Sequence, residues 1–171
     1  MNILETTLPV IHLKAGEIYI AEKPTLVATV LGSCISVTMF NNRFKIGAIC
    51  HGALPVYKKN RYGIRENTNE PFKYVDYSIS YMVSQLANYG IKTVEIEVKL
   101  FGGADMFSFN NGNVNKLTVG QQNTQVALNT IQKENLRLLV SDTGGKRGRK
   151  IFFYTHTGEV LLKRLQKGDN S

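Results

Sequence analysis

The sequence predicts an α+β domain built mostly from strands, together with two helices. Three observations predict this class: short segments rich in β-branched residues, one segment in which apolar and charged residues alternate, and two segments with apolar residues at helical spacing. Many strands combined with two helices are typical of α+β domains. The 171 residues fit a single domain spanning residues 1–171, which is long enough to bury a core without disulfides.

Four apolar segments in the first third of the chain are predicted to be strands. Residues 17–21 and 26–31 come first, with a Lys-Pro break between them. Residues 34–40 and 44–50 follow, and the Asn-Asn-Arg break between them predicts a hairpin, because Asn tolerates left-handed turn conformations. A turn of about two or three residues would place Cys34 opposite Ile49 or its neighbour Cys50.

The middle of the chain is predicted to contain a loop, a helix and a strand. Residues 55–71 are polar and basic without any period, which indicates a loop. Apolar residues then recur at helical spacing before Gly90, which predicts a helix that buries Val75, Ile79, Met82, Val83 and Leu86. Residues 93–100 alternate as in a half-buried strand, with an inner face of Val94, Ile96, Val98 and Leu100.

The last third of the chain is predicted to contain the second helix and three further strands. The helix covers residues 121–134, and residues 136–140 form the strand that follows it. Residues 142–149 form a Gly-rich basic loop. A closing hairpin is predicted for residues 151–154 and 160–165.

The charge of the chain restricts the classes of partner. A net charge of +8 favours acidic partners such as nucleic acid, anionic lipid or an acidic protein surface. Only the charge favours nucleic acid, because the sequence has neither an RNP-like aromatic pattern nor a helix-turn-helix signature. The uncharged stretch between Lys23 and Arg43 contains Pro24 and Gly32, so it is predicted to form strands and not a membrane span. We expect a cytoplasmic protein with reduced cysteines and no signal peptide.

The predicted hairpin brings a thiol close to an imidazole. His51 directly follows the second strand, so it lies at the same open end of the hairpin as Cys34. Such a pair can act as nucleophile and base, because the imidazole accepts the thiol proton. Ser33 and Cys34 follow Gly32, and their backbone N–H groups are the candidate oxyanion donors. The alternative is that Cys34 is a small buried apolar residue.

Other cysteine and histidine residues are predicted to have structural roles. Cys50 precedes His51 on the strand, so its side chain points to the opposite face and is predicted to lie in the core. For the same reason zinc binding by Cys34, Cys50 and His51 is a weak alternative, and no metal or cofactor is predicted. His12 and His156 have no partner in the sequence and are predicted to be surface or edge residues.

Two Gly-Gly pairs are predicted to form tight turns beside the site. Gly102-Gly103 ends a strand but lacks the spacing and the lysine of phosphate-binding turns. The second pair, Gly144-Gly145, lies in the basic loop directly before Lys146 and four residues before Arg149. We expect Gly102, Gly103, Lys146 and Arg149 to line the substrate cleft. The alternative for the two basic residues is solvated surface or an internal ion pair.

Four short sequence blocks carry a resemblance to a known family. They are residues 30–37 (VLGSCISV), His51 with Leu54-Pro55, residues 99–107 (KLFGGADMF) and residues 142–149 (DTGGKRGR). Together, and in this order, they resemble the bacterial chemoreceptor glutamine deamidases, the CheD family. The resemblance implies that Cys34 is the nucleophile and His51 the base, without a cofactor.

The resemblance also implies a third catalytic residue. It is a threonine six residues before the cysteine, where this sequence has Ala28. The adjacent Thr29 is the candidate for this role. Because adjacent strand residues face opposite sides, a backbone carbonyl group is the alternative partner that would orient His51.

The function implied by the resemblance is conversion of receptor glutamines to glutamates. The substrates would be cytoplasmic helices of methyl-accepting chemotaxis receptors, with ammonia released through a Cys34 thioester and methylesterase activity as a side reaction. The implied fold is two packed β-sheets with helices on the outer faces, an α-β-β-α sandwich of the cysteine-hydrolase type. A CheC-type phosphatase is a further implied partner. The alternative function, favoured by Ala28, is a catalytically weakened adaptor that binds receptor or that phosphatase.

Overall fold

The computed structural model describes residues 7–58, 70–106 and 116–166. Nine strands and two α-helices form this described part of the chain. They are β1 Val10–His12, β2 Ile18–Ala21, β3 Leu26–Leu31, β4 Ile35–Asn41, β5 Ile46–Cys50, α1 Val75–Ala87, β6 Glu97–Gly102, α2 Val119–Lys133, β7 Arg137–Thr143, β8 Arg149–Tyr154 and β9 Val160–Arg164.

The strands form two mixed sheets that pack face to face. The four-stranded sheet has the order β1-β3-β8-β9, and the five-stranded sheet has the order β2-β5-β4-β6-β7. Alternate residues of the facing strands point into a shared apolar layer, called here the inter-sheet layer. Its buried members are Leu13, Val27, Leu31, Ile49, Phe101, Ile151 and Phe153. The predicted α+β class and the packing of two sheets are confirmed.

Both helices pack on the outer face of the five-stranded sheet. They share a second buried cluster with β4, β5 and β6, which includes Val37, Met39, Cys50, Ile79, Met82, Val98, Leu100 and Ile131. The outer face of the four-stranded sheet carries a smaller cluster, and no helix of the described residues belongs to it. The layer order of the described chain is therefore helix–sheet–sheet, whereas the resemblance implies helices on both outer faces. One reason is that α2 connects β6 to its parallel neighbour β7 within one sheet.

The turn of the β4–β5 hairpin is longer than the sequence predicts. It covers residues 42–45, and Lys45 adopts a positive φ of 55°. The side-chain oxygen of Asn41 accepts a hydrogen bond from the Phe44 N–H at 2.9 Å, which stabilises the four-residue turn.

This longer turn changes the pairing at the open end of the hairpin. Ile35 pairs with Gly52, and two backbone hydrogen bonds of 2.8 Å join them. Cys34 consequently lies at the level of Ala53, and the predicted pairing with Cys50 or its neighbour is wrong. The predicted register that pairs Cys34 with Ile49 keeps every side chain on the face it has in the observed register, so the apolar pattern does not distinguish these two and the turn geometry does.

Two other segments differ from the prediction, and a third lies partly outside the residues that the structure describes. β1 has only three residues, which is too short for a recognisable pattern. Thr93–Glu95 form a turn of 3₁₀ helix, so Val94 is 74% exposed and does not face inward, and β6 begins at Glu97. The predicted loop 55–71 lies partly outside the described residues.

Helix α2 begins with a capping box and lies directly on the loop after β6. Thr118 accepts a hydrogen bond from the Gln121 N–H at 3.2 Å, and the Gln121 side chain accepts one from the Thr118 N–H at 3.0 Å. A Cβ atom at Gly120 would lie 2.5 Å from the Ala104 carbonyl oxygen. Glycine at this position therefore allows the helix to approach the loop backbone closely.

Candidate active site

The candidate site lies where the two sheets meet. β3 belongs to the four-stranded sheet and β4 to the five-stranded sheet, so residues 32–34 connect one sheet to the other. Cys34 ends this connection, and His51 directly follows β5. The site therefore combines residues from both sheets.

His51 is buried and is held by a hydrogen bond to Thr29. Their Nδ1 and Oγ1 atoms lie 2.7 Å apart, and Thr29 Oγ1 also lies 2.7 Å from the Leu13 carbonyl oxygen. A carbonyl oxygen can only accept, so the single hydroxyl proton of Thr29 points to Leu13. The hydroxyl oxygen then accepts from Nδ1–H of His51, which leaves the lone pair on Nε2. This tautomer is the one required of a base that acts through Nε2.

The orientation of Thr29 follows from the alternation of β3. Thr29 shares its face with Val27 and Leu31, which belong to the inter-sheet layer. Ala28, at the position that the resemblance implies, belongs to the cluster on the outer face of the sheet. The alternation that was expected to turn Thr29 away from His51 is therefore what brings it there. The Leu13 carbonyl group, the kind of partner expected as the alternative, orients Thr29.

Cys34 and His51 lie on the same face at the open end of the hairpin. Because Ile35 pairs with Gly52, Cys34 and His51 are diagonal neighbours across the two strands. Cys34 is half-buried and packs at the border of the inter-sheet layer. Side chains on such diagonal positions are within reach of each other. The structure thus keeps the predicted Cys34–His51 neighbourhood, although it changes the register.

The backbone of the connection is held on its carbonyl side. The Gly32 carbonyl accepts from the Ala104 N–H, and the Cys34 carbonyl accepts from the Gly103 N–H, both at 2.9 Å. In a trans peptide the N–H points opposite to the preceding C=O, so the Ser33 N–H points away from Ala104.

Asn123 and Leu13 are two residues of the site that sequence reasoning missed. Asn123 lies on α2, and its Nδ2 donates to the carbonyl of Ser33 at 3.0 Å and to that of Ala53 at 3.1 Å. Within the described residues, the N–H groups of Ser33 and Cys34 donate no hydrogen bond to another residue, so both donors are available to a substrate oxygen. In the sequence, Asn123 lies one helical turn before Val126 and Ala127, and a polar residue at that spacing on the apolar face was its only signal.

The predicted substrate-binding glycines lie behind Cys34. Gly102 has a φ of +111°, and a Cβ there would lie 2.1 Å from the Cys34 carbonyl oxygen. Gly103 has a φ of +66°, and its Cβ would lie 2.1 Å from Thr124 Oγ1. Both conditions exclude a side chain. The contacts of this pair are with the backbone that carries the thiol and with α2.

Arg149 does not line a cleft, which corrects the sequence prediction. It is 1% exposed and forms an ion pair with Asp142, and it also donates to the Gly144 carbonyl. Burying a guanidinium group is costly unless such partners surround it, so Arg149 is an internal support of the basic loop. Lys146, on the same loop, is exposed.

Burial shifts the pKa values of the candidate pair in opposite directions. Burial raises the pKa of the Cys34 thiol, partly offset by the Cys34 backbone N–H. Burial also lowers the pKa of His51 to about 4, partly offset by the Leu13 backbone and Glu17. Both shifts favour a neutral thiol and a neutral imidazole in the resting protein. The inert Cys50 is fully enclosed, which raises its pKa to about 12.

The remaining candidate ligands are not brought together. Cys50 belongs to the helix-side cluster, on the opposite face of β5 from His51, so the weak zinc set with Cys34 does not form. Residues 7–58, 70–106 and 116–166 contain no cluster of three His, Cys, Asp or Glu side chains suited to a metal ion. His12 is exposed on β1, and His156 is partly buried in the β8–β9 turn. None of the described helices is both long and apolar enough to span a membrane.

Comparison with known proteins shows relatives along nearly the whole chain. The family model CheD chemotactic sensory transduction matches residues 54–164. The probable chemoreceptor glutamine deamidase CheD 2 of Geobacter sulfurreducens is 46% identical over 160 residues, covering 94% of this chain and 92% of the relative. The probable chemoreceptor glutamine deamidase CheD of Thermococcus kodakarensis is 37% identical, covering 90% of this chain and 91% of the relative.

A solved structure shows a more distant likeness. The hypothetical protein YfiH of Bacillus licheniformis aligns with a TM-score of 0.46 at 9% identity, over 74% of this chain and 50% of that protein.

We expect acidification to destabilise the fold through His51. Its pKa is about 4 in the folded protein, whereas an unfolded histidine titrates near 6.5. Between these values the unfolded chain binds more protons, so stability is full above the unfolded pKa and falls as the pH drops toward 4. The contribution lost between about pH 7 and pH 5 is about 2 kcal/mol. Urea unfolding at a series of pH values measures it.

The matched variants for this measurement are His51→Asn and His12→Asn. His51→Asn removes the titrating ring and should reduce the pH dependence by that amount, while His12→Asn makes the same substitution at an exposed position of β1 and serves as the comparison. Equal pH dependence in wild type and His51→Asn would contradict the interpretation.

Proposed function

Because the chain belongs to the CheD family of chemotactic sensory transduction proteins, we propose that it is a protein-glutamine deamidase, a glutaminase acting on glutamine side chains of methyl-accepting chemotaxis receptors. The observation that supports this most directly is the buried Thr29–His51 hydrogen bond beside Cys34. It supplies an oriented base next to a nucleophile, which is the requirement for attack on a carboxamide.

In the first half of the reaction, Cys34 becomes acylated. Its Sγ attacks the side-chain carbonyl carbon of the receptor glutamine, and His51 Nε2 accepts the thiol proton. The negative charge on the carbonyl oxygen faces the N–H groups of Ser33 and Cys34. The C–N bond then breaks, and ammonia leaves with the proton that His51 returns. The product is a thioester between Cys34 and the glutamyl side chain.

In the second half, water replaces the thiol. His51 accepts a proton from water, and the hydroxide attacks the thioester carbonyl carbon. The C–S bond breaks, and the thiol regains its proton from His51. One glutamine and one water thus give one glutamate and one ammonia. A glutamyl methyl ester presents the same acyl group, so methylesterase activity follows as a side reaction.

The pKa values determine which form of the pair starts the cycle. Since burial raises the pKa of Cys34 and lowers that of His51, the resting state is thiol and imidazole. Proton transfer therefore accompanies attack, and the thiolate–imidazolium ion pair expected from a simple Cys–His pair is not the resting form. The base form of His51 is present throughout the neutral pH range.

The alternative of a catalytically weakened adaptor depended on Ala28. Thr29 supplies a hydroxyl group to His51, so the residue at position 28 no longer favours that alternative.

The proposed partners are the cytoplasmic helices of receptors and a CheC-type phosphatase. With receptor helices of this kind as the substrate, the proposed reaction takes place in the cytoplasm. Exposed Lys146 is proposed to contact receptor carboxylates.

We expect Cys34→Ala to abolish deamidation without unfolding the protein, because it removes the nucleophile. Intact-mass analysis of a receptor cytoplasmic fragment measures the reaction, which adds about one dalton for each glutamine converted. Cys50→Ala is the control, since it removes a thiol from the other face of β5 and should retain most activity. A folded Cys34→Ala protein that still converts the fragment would overturn the mechanism.

We expect Thr29→Val to lower kcat by about 10- to 100-fold, because His51 loses the acceptor that orients it. Thr29→Ser keeps the hydroxyl group and should recover most of the rate. Thr38→Val is a matched control, because it removes a buried hydroxyl of β4 that has no hydrogen bond to His51. Steady-state ammonia release from the receptor fragment compares the variants, and equal rates for Thr29→Val and Thr38→Val would be inconsistent with the proposed role.

We expect Lys146→Glu to raise KM for the receptor fragment at low salt, because like charges would then face each other. The defect should shrink as salt rises, since the Debye length is about 10 Å at 0.1 M. Lys23→Glu makes the same charge change beyond the opposite end of β3 and should have little effect. A KM that is equal in the two variants at low salt would refute a receptor contact by Lys146.

A further inference from the structure

Asn123 is a buried side chain that connects α2 to both backbone segments of the candidate active site, the one before Cys34 and the one after His51. It is 0% exposed, and its Nδ2 donates to the carbonyl oxygens of Ser33 and Ala53 at 3.0 and 3.1 Å. Ser33 precedes Cys34, and Ala53 follows His51 by two residues. A single amide group therefore joins the segment that carries the thiol to the segment that carries the imidazole.

The orientation of this amide group follows from its partners. The two atoms that this amide group contacts are the carbonyl oxygens of Ser33 and Ala53. Because carbonyl oxygens only accept hydrogen bonds, the NH₂ group of Asn123 faces them and its oxygen does not. Its Oδ1 is buried without a partner in the described part of the chain. A buried polar atom without a partner is destabilising. The Asn123 side chain thus donates two hydrogen bonds through its NH₂ group, while its Oδ1 accepts none within the described residues.

The hydrogen bond to Ser33 controls the direction of the next N–H group. The Ser33 carbonyl and the Cys34 N–H belong to one planar trans peptide, in which they point in opposite directions. Because Asn123 holds the carbonyl on the α2 side, the Cys34 N–H points to the other side and donates to no other residue of the described chain.

We propose that Asn123 is a positioning residue that aims the Cys34 N–H at the oxyanion formed during acyl transfer. This inference rests on the proposed function, since it assumes that Cys34 is acylated. Its support from α2 is rigid: the capping box fixes the first turn, and Gly120 lies against the Ala104 carbonyl one turn before Asn123. The helix thus fixes the orientation of the peptide group between Ser33 and Cys34, so the Cys34 N–H is oriented before substrate binds.

The test compares two reactions of Cys34 that differ in their need for an oxyanion site. With p-nitrophenyl acetate, Sγ attacks a carbonyl carbon and p-nitrophenolate leaves, so charge develops on the carbonyl oxygen. With iodoacetamide, Sγ displaces iodide from a saturated carbon, and no oxyanion forms. Mass analysis of the labelled peptides determines whether each reagent reacts at Cys34, as expected, or at Cys50, which is buried.

We expect Asn123→Ala to slow acylation about 10- to 100-fold while alkylation stays within about threefold of wild type. With the receptor fragment, kcat should fall and KM should change little. Asn129→Ala is the matched control, an exposed amide on the same helix, and should leave both reactions unchanged. Asn123→Ser, whose hydroxyl can donate one hydrogen bond, should be intermediate, and it replaces Asn123→Ala if the latter does not fold.

Each other outcome overturns the inference in a recognisable way. Equal loss of acylation and alkylation would mean that Asn123 supports the fold or the thiol and not the oxyanion donor. No loss in either reaction would mean that the Cys34 N–H is directed without it. If wild-type Cys34 itself reacts with neither reagent, the nucleophile is misassigned, and the proposed function falls together with this inference.

Discussion

The contact between the two sheets is the constraint on which the candidate active site depends. Thr29 lies on the four-stranded sheet and His51 follows a strand of the other, so their hydrogen bond exists only when the two sheets pack in one alignment. Cys34 lies on the connection that crosses between the sheets. The apolar inter-sheet layer, with side chains such as Val27 and Phe153, therefore sets the relative positions of the candidate site residues as well as the stability of the fold.

Burial between the sheets also determines the electrostatics of the site. An exposed histidine would be partly protonated near neutral pH. His51 stays neutral there, because burial makes the charged form of the ring unfavourable and lowers its pKa. The same burial gives Thr29 and the Leu13 carbonyl a fixed arrangement, which selects one tautomer of the imidazole. The packing that buries His51 thus also favours its neutral form and fixes its tautomer.

Local sequence patterns were sufficient to predict most elements and to place Cys34 and His51 at the same open end of one hairpin. Alternation placed Cys50 in the core and His51 on the other face, and both assignments agree with the structure. The alternation does not determine the length of a turn, so the register predicted for the β4–β5 hairpin was wrong. The partner of Thr29 depends on packing between two sheets, and Asn123 reaches Ser33 across ninety positions of sequence. Such contacts arise from tertiary packing, which no local pattern records.

The pairing of β3 with β8 has a consequence for the chain during its synthesis. In its sheet, β3 has only the three-residue β1 and the late strand β8 as neighbours, and Thr29 pairs with Ile151. A nascent chain that already displays Cys34 and His51 therefore lacks the strand that completes the sheet carrying Thr29. The sheet that positions Thr29 beside His51 is therefore complete only after translation has passed β8, so the candidate site is among the last parts of the fold to form.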